Sequence, residues 1–145
     1  CYYDSFAHLQ ICQYATPTDT GMVTQANYDI LDRTVSVAIP AVGSTTTNVY
    51  DFASISGVNH FMTRTTDPEN NTSTTVSDAR GLTLQSTDAL GNKTLFAYSA
   101  AGLLQHSTDP DGFATEYQYD MLGQMVSRNH PDAGKTEFLY DPAQR

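Results

Sequence analysis

Gly102-Leu103-Leu104-Gln105-His106-Ser107-Thr108-Asp109-Pro110-Asp111-Gly112-Phe113-Ala114-Thr115-Glu116-Tyr117-Gln118-Tyr119-Asp120-Met121-Leu122-Gly123 is the stretch that decides the fold. Two turn signals bracket it. Asp109-Pro110-Asp111-Gly112 carries Pro to preset φ, Asp to bond its own backbone, and Gly to take a positive φ. Asp120-Met121-Leu122-Gly123 repeats the Asp and the Gly. Between the turns, Thr115, Tyr117 and Tyr119 fall on alternate positions, the period of a half-buried strand. Turns every ten or so residues leave no room for a crossover helix, so consecutive strands must pair as antiparallel hairpins.

The pattern extends along the chain. Tyr3-Asp4, Tyr28-Asp29, Tyr50-Asp51, Tyr119-Asp120 and Tyr140-Asp141 share the dipeptide. Tyr98-Ser99 and Ser77-Asp78 are degenerate copies. The second positions are 4, 29, 51, 78, 99, 120 and 141, so the last three spacings are each 21 residues. Gly81, Gly102 and Gly123 follow the dipeptide. Gly91, Gly112 and Gly134 close the other turn. The strand before each dipeptide reads Thr94 to Tyr98, Thr115 to Tyr119 and Thr136 to Tyr140, the last carrying Phe138 on the same side. Upstream copies are looser, with Asp32 and Ser54 in the glycine place. Ser54-Ile55-Ser56-Gly57 and Asp67-Pro68-Glu69-Asn70-Asn71 read as a longer hairpin or bulged loop, and Thr16 to Gly21 as an expanded turn. The expectation is a single array over 1–145 of about six repeats, degenerate over 1–76 and regular over 77–142.

Composition agrees with a sheet. The chain holds 20 Thr, 11 Ser, 9 Tyr and only 2 Lys, and no run resembles a helix-forming sequence. Seven basic residues against sixteen acidic ones give a net charge of −9, which excludes a nucleic-acid footprint. There is no basic amphipathic stretch and no apolar run near the ~18 residues of a spanning helix, so membrane insertion is not expected. Cys1 and Cys12 could bridge across a hairpin; the plainer reading is a terminal thiol and a small buried hydrophobe.

These residues resemble the Rhs, or YD-repeat, family, whose pattern is Gly after the dipeptide, then Asp-Pro-x-Gly, then Thr-x-Tyr-x-Tyr-Asp. The match is close from Ser77 to Pro142 and looser from Cys1 to Val76. The resemblance implies an all-β fold in which antiparallel hairpin repeats wind into a hollow β-shell. Bacterial members of the family enclose a C-terminal toxic domain; the teneurins use a similar shell in cell-surface adhesion. It implies that this chain is one segment of a longer polypeptide. It also implies a secreted or cell-surface location. The family's aspartic autoprotease motif does not occur in this stretch.

The same reading sets aside site chemistry. His8, His60, His106 and His130 have no zinc spacing. Asp109 and Asp111 flank a proline and are explained by the turn rather than by calcium. Asn70-Asn71-Thr72 and Asn92-Lys93-Thr94 are inexpensive sequon matches. No cofactor, metal or catalytic residue is expected. The expected work is scaffolding, carried by Tyr28, Asp29, Tyr50, Asp51, Tyr98, Tyr117, Tyr119, Asp120, Phe138, Tyr140 and Asp141 with the turn glycines. The expected partners are the rest of the same polypeptide and an enclosed cargo domain. The alternatives are self-association through open strand edges, or an adhesive, glycan-binding surface presented by the aromatic stripe.

Overall fold

A computed structural model describes the backbone of residues 2–3, 9–14 and 22–141, with side chains from Thr24 onward. Among these residues thirteen strands form one sheet in strict sequence order, every neighbour antiparallel. They are β1 (Tyr2–Tyr3), β2 (Leu9–Tyr14), β3 (Met22–Tyr28), β4 (Thr34–Ile39), β5 (Ser44–Ile55), β6 (Val58–Thr66) and β7 (Thr72–Ser77). The series continues with β8 (Thr83–Thr87), β9 (Lys93–Tyr98), β10 (Leu104–Thr108), β11 (Ala114–Tyr119), β12 (Met125–His130) and β13 (Gly134–Glu137). A 3-10 turn at Pro40–Val42 is the one helical element among the described residues. The expected all-β ribbon of hairpins is what the chain forms.

The sheet is one layer thick. Val76, at 2% exposure, is the one buried apolar residue among the described side chains, and Thr115 and Ser127 are the buried polar ones. In place of a central core, each strand is sheltered by its neighbours. Alternation is plain in β9, where Thr94, Phe96 and Tyr98 are half-buried and Lys93, Leu95 and Ala97 are exposed. In β11 the sheltered set is Thr115, Tyr117 and Tyr119. Directly paired residues share a face, so the pairings Phe96 to Ser107 to Thr115 put both strands' sheltered sets on one face. We call this the aromatic face.

The hairpin turns alternate between two margins of the ribbon. On one margin lie the Tyr-Asp turns, following β3, β7, β9 and β11. On the other lie the turns following β6, β8, β10 and β12. On the Tyr-Asp margin the register slips by one residue beside Tyr28, Ser77, Tyr98 and Tyr119. The residues skipped in these bulged pairings are Val35, Leu84, Gln105 and Val126, each seven positions after the first dipeptide residue. The pairings next to the opposite turns, such as Thr108 to Ala114 and Thr87 to Lys93, run without a slip. A β-bulge bends the strand that carries it and increases its twist. Bulges repeated on one margin bend the hairpins that carry them in the same sense, while the β5–β6 hairpin on that margin runs without a slip.

Two expectations need correction. Tyr50 and Asp51 do not end a strand: they lie inside β5, twelve residues long, and Ser54 is a strand residue, not a turn residue. The turn falls instead at Ser56-Gly57, with φ of 52° and 80°, closing nine consecutive pairs from Ile55 opposite Val58 to Thr47 opposite Thr66. Positive φ at both central residues is the two-residue hairpin geometry matched to strand twist, and Ser-Gly meets it where Phe52-Ala53 could not. The stretch is therefore the longer hairpin foreseen, but its dipeptide lies upstream of its turn. Strands are also short in most repeats, at five or six residues, because each turn with its closing pair takes five of every ten or eleven. Asp4, His8, the Thr16 to Gly21 turn, Pro142 and the Cys1–Cys12 pairing lie outside the described residues or side chains.

Candidate functional site

The repeated turn is the unit from which the ribbon is built. At Asp120 the backbone N–H bonds the Gln124 carbonyl at 2.9 Å, and the Gly123 N–H bonds the Asp120 carbonyl at 3.1 Å. The same pair of bonds recurs at Asp29, Asp67, Asp78, Asp88, Ser99 and Asp109. The fourth position of each turn needs a positive φ. It is filled by Gly81, Gly91, Gly102, Gly112 and Gly123, and by Asp32 and Asn70 at 65° and 66°. Asp and Asn are the non-glycine residues that tolerate this conformation best.

The aspartate side chains close the same turns. Oδ1 of Asp120 accepts from the N–H groups of Leu122 and Gln124, both at 2.9 Å. Asp29, Asp78 and Asp88 accept two such bonds in the same offsets. The Arg33 side chain, bonded to Asp29, holds that carboxyl below the ordinary carboxylate range. The Asn71 and Asn92 amides do the same for Asp67 and Asp88. At Asp78, lost hydration pushes the value up, and bonds from Leu82 and Arg80 outweigh it, so the net direction is down. Burial, with Tyr117 nearby, pushes the Tyr119 phenol up.

Tyrosine hydroxyls and two arginines tie successive repeats together. Tyr50 donates to the Thr34 carbonyl at 2.8 Å, and Tyr140 to the Met125 carbonyl at 2.8 Å. Thr34 and Met125 each stand six positions after the tyrosine of the preceding repeat, Tyr28 and Tyr119. The Arg33 guanidinium pairs with Asp29 at 2.6 Å and lies 4.2 Å from the centre of the Tyr50 ring. Arg80 pairs with Asp78 at 2.8 Å and donates to the Ser99 and Ala100 carbonyls of the next turn on the same margin. Sequence reading missed both arginines, because two residues in different turns of a degenerate array set no period.

The remaining dipeptide residues are placed as follows. Tyr28, Tyr98 and Tyr119 end β3, β9 and β11, and Asp29 and Asp120 cap the turns that follow. Asp51 accepts from the adjacent Phe52 N–H and caps no hairpin turn. Phe138 and Tyr140 lie just past the assigned end of β13, yet the Phe138 N–H still bonds the Val126 carbonyl at 3.0 Å. Asp141 follows at the end of the described chain.

Gly134, with φ of 72°, closes a different turn. There the capping place, 21 residues after Asp109, is taken by His130. Its Nδ1 accepts from the Asp132 and Ala133 N–H groups at 3.1 and 3.3 Å. The positions 88, 109 and 130 carried that signal in the sequence.

On the aromatic face a trough of about 480 Å³ runs between Gln105, Tyr117, Tyr119 and Val126. No group of three or more metal-ligating side chains occurs among the described residues. No helix there is long and apolar enough to cross a membrane.

Residues 78–114 and 98–135 match the family model for the RHS Repeat. Over that stretch, 78–135, the chain carries RHS repeats. A similar solved chain comes from the Photorhabdus luminescens Tc holotoxin pore, at 14% identity and a TM-score of 0.27, over 83% of this chain. The present chain spans 11% of that chain's length. No curated protein matches. The role of these Rhs repeats is structural.

Proposed function

We propose that this Rhs segment forms part of the wall of a β-shell that encloses a cargo domain of the same polypeptide. The observation that carries the reading is a thirteen-strand sheet with one buried apolar side chain among the described ones. A layer that buries so little is suited to being a wall whose faces meet something else. The bulges on one margin support it, since equal bends of one sense curve a ribbon steadily. Apolar residues on the Tyr-Asp margin also support it. Ile30, Met121 and Leu122 are 101%, 105% and 84% exposed, a distribution that favours contact with a further part of the polypeptide. The same reading assigns the chain to a secreted or cell-surface protein.

Limited proteolysis of the intact polypeptide tests it. The domain following the array is expected to resist protease until 99–119 is removed. Equal cleavage with and without that repeat would sink the enclosure and leave the repeats as scaffold alone.

A further inference from the structure

On the aromatic face, a pocket of about 220 Å³ is lined by Thr115, Tyr117, Arg128, His130 and Ala133. Tyr117 pairs directly with Arg128, and Thr136 of β13 pairs with Arg128 from the other side. Arg128 therefore stands between two hydroxyl-bearing residues on the neighbouring strands. It forms no ion pair among the described residues.

That isolation is notable in a chain with sixteen acidic residues and seven basic ones. The carboxylates of the neighbouring strands are close in sequence but on the opposite face. Glu116 pairs with Asn129 and Glu137 with Ser127, both one position out of step with Arg128. Lys135 is already bound to Glu137 at 2.6 Å.

Two other lining side chains, His130 and Tyr117, have a donor to offer. His130 accepts two backbone N–H groups at Nδ1. A ring nitrogen that accepts carries no proton, so the neutral ring has its N–H at Nε2. The Tyr117 hydroxyl lies 3.3 Å from Ser107 Oγ, and either can donate. With Ser107 donating, the Tyr117 O–H is free to donate to a ligand. A guanidinium fork, an imidazole N–H and a phenol O–H around a small concave site match a planar oxyanion.

We propose that this pocket binds a carboxylate group, held by the fork of Arg128 with Tyr117 and His130 as supporting donors. Carboxylate is favoured over phosphate because there is one cation and the site is small. Arg64 serves as the internal control: it is exposed on the other face, lines neither of these pockets and forms no ion pair among the described residues.

The test is phenylglyoxal labelling of the full chain, read by peptide mass spectrometry at Arg128 and Arg64. Glutarate and a Glu-containing hexapeptide are the two probes, with inorganic phosphate as comparison. At ten times its Kd, a bound carboxylate is expected to slow labelling of Arg128 roughly tenfold and leave Arg64 unchanged. Tyr117→Phe keeps the ring and is expected to weaken protection by roughly five- to tenfold. Protection by both probes assigns the carboxylate as such; protection by the peptide alone assigns an acidic polypeptide segment. Equal protection of Arg64, protection by phosphate alone, or no protection at Arg128 overturns the proposal.

Discussion

At the scale of single residues, the turns separate two costs that are usually mixed. A methyl group added at Gly123 would meet only the Leu103 side chain, 3.9 Å away. The cost of Gly123→Ala is therefore conformational, set by a φ of 79°. It is expected to be about 1–2 kcal/mol, read as a shifted urea midpoint with an unchanged slope. Asp120 tests the other contribution. Asp120→Asn keeps an oxygen for the Leu122 and Gln124 N–H groups, and Asp120→Ala removes it. Ala is expected to lower the melting temperature by about 2–4 °C and Asn by less; equal losses would mean that charge, not acceptance, matters there. Acid should reveal the same caps. Asp29, Asp67, Asp78 and Asp88 are held below the ordinary range. The folded state thus binds fewer protons than the unfolded chain. Their contribution is complete above the unfolded value of about 3.9 and is lost as pH falls through the lower folded values. Melting temperature should fall steeply below about pH 4, and more gently when all four are Asn.

At the scale of the element, the turn was legible and the bulge was not. Asp-x-x-Gly has a chemical signature, because each position of the turn asks for a particular residue type. The bulge residues Val35, Leu84 and Val126 are aliphatic and Gln105 is an amide, and such residues are equally at home in a regular strand. They are skipped in the bulged pairing because the Tyr-Asp turn enters the ladder one residue out of step, a property of register and not of side chains. Tyr50-Asp51 misled for a related reason. The dipeptide marks a strand end only where a turn follows at once, and Ser56-Gly57 offered the better turn five residues on. His130 was passed over because a histidine in an aspartate place breaks the residue type while keeping the 21-residue spacing. If the bulges set the curvature, deleting Leu84, Gln105 and Val126 together should preserve strand content by circular dichroism, since flanking pairs such as Gln118 to Ser127 keep their partners. The ribbon should flatten, and its radius of gyration by small-angle scattering should rise. An unchanged radius would separate the bulges from the bend.

At the scale of the whole molecule, stability must be shared between neighbours. Ordering each residue costs on the order of 1–2 kcal/mol of backbone entropy, and Val76, the single buried apolar side chain among the described residues, cannot offset that for so many strands. What remains is the ladder, the caps, and contacts such as Arg80 to the Ser99 and Ala100 carbonyls, which join one repeat to the next. Energetics of this kind are nearly one-dimensional: total stability is a sum over repeats and over the interfaces between them. An added repeat brings one interface with it, while the weak ends stay constant in number. Inserting two further copies of 78–98, the repeat that carries Arg80, after Tyr98 is therefore expected to raise the urea midpoint and also the slope, because more surface is exposed on unfolding. The gain should shrink when Arg80 and its copied counterparts at the inserted turns are Ala. A midpoint independent of repeat number would mean that the interfaces contribute nothing beyond the repeats themselves, and the ribbon would then have to draw its stability from whatever covers its faces.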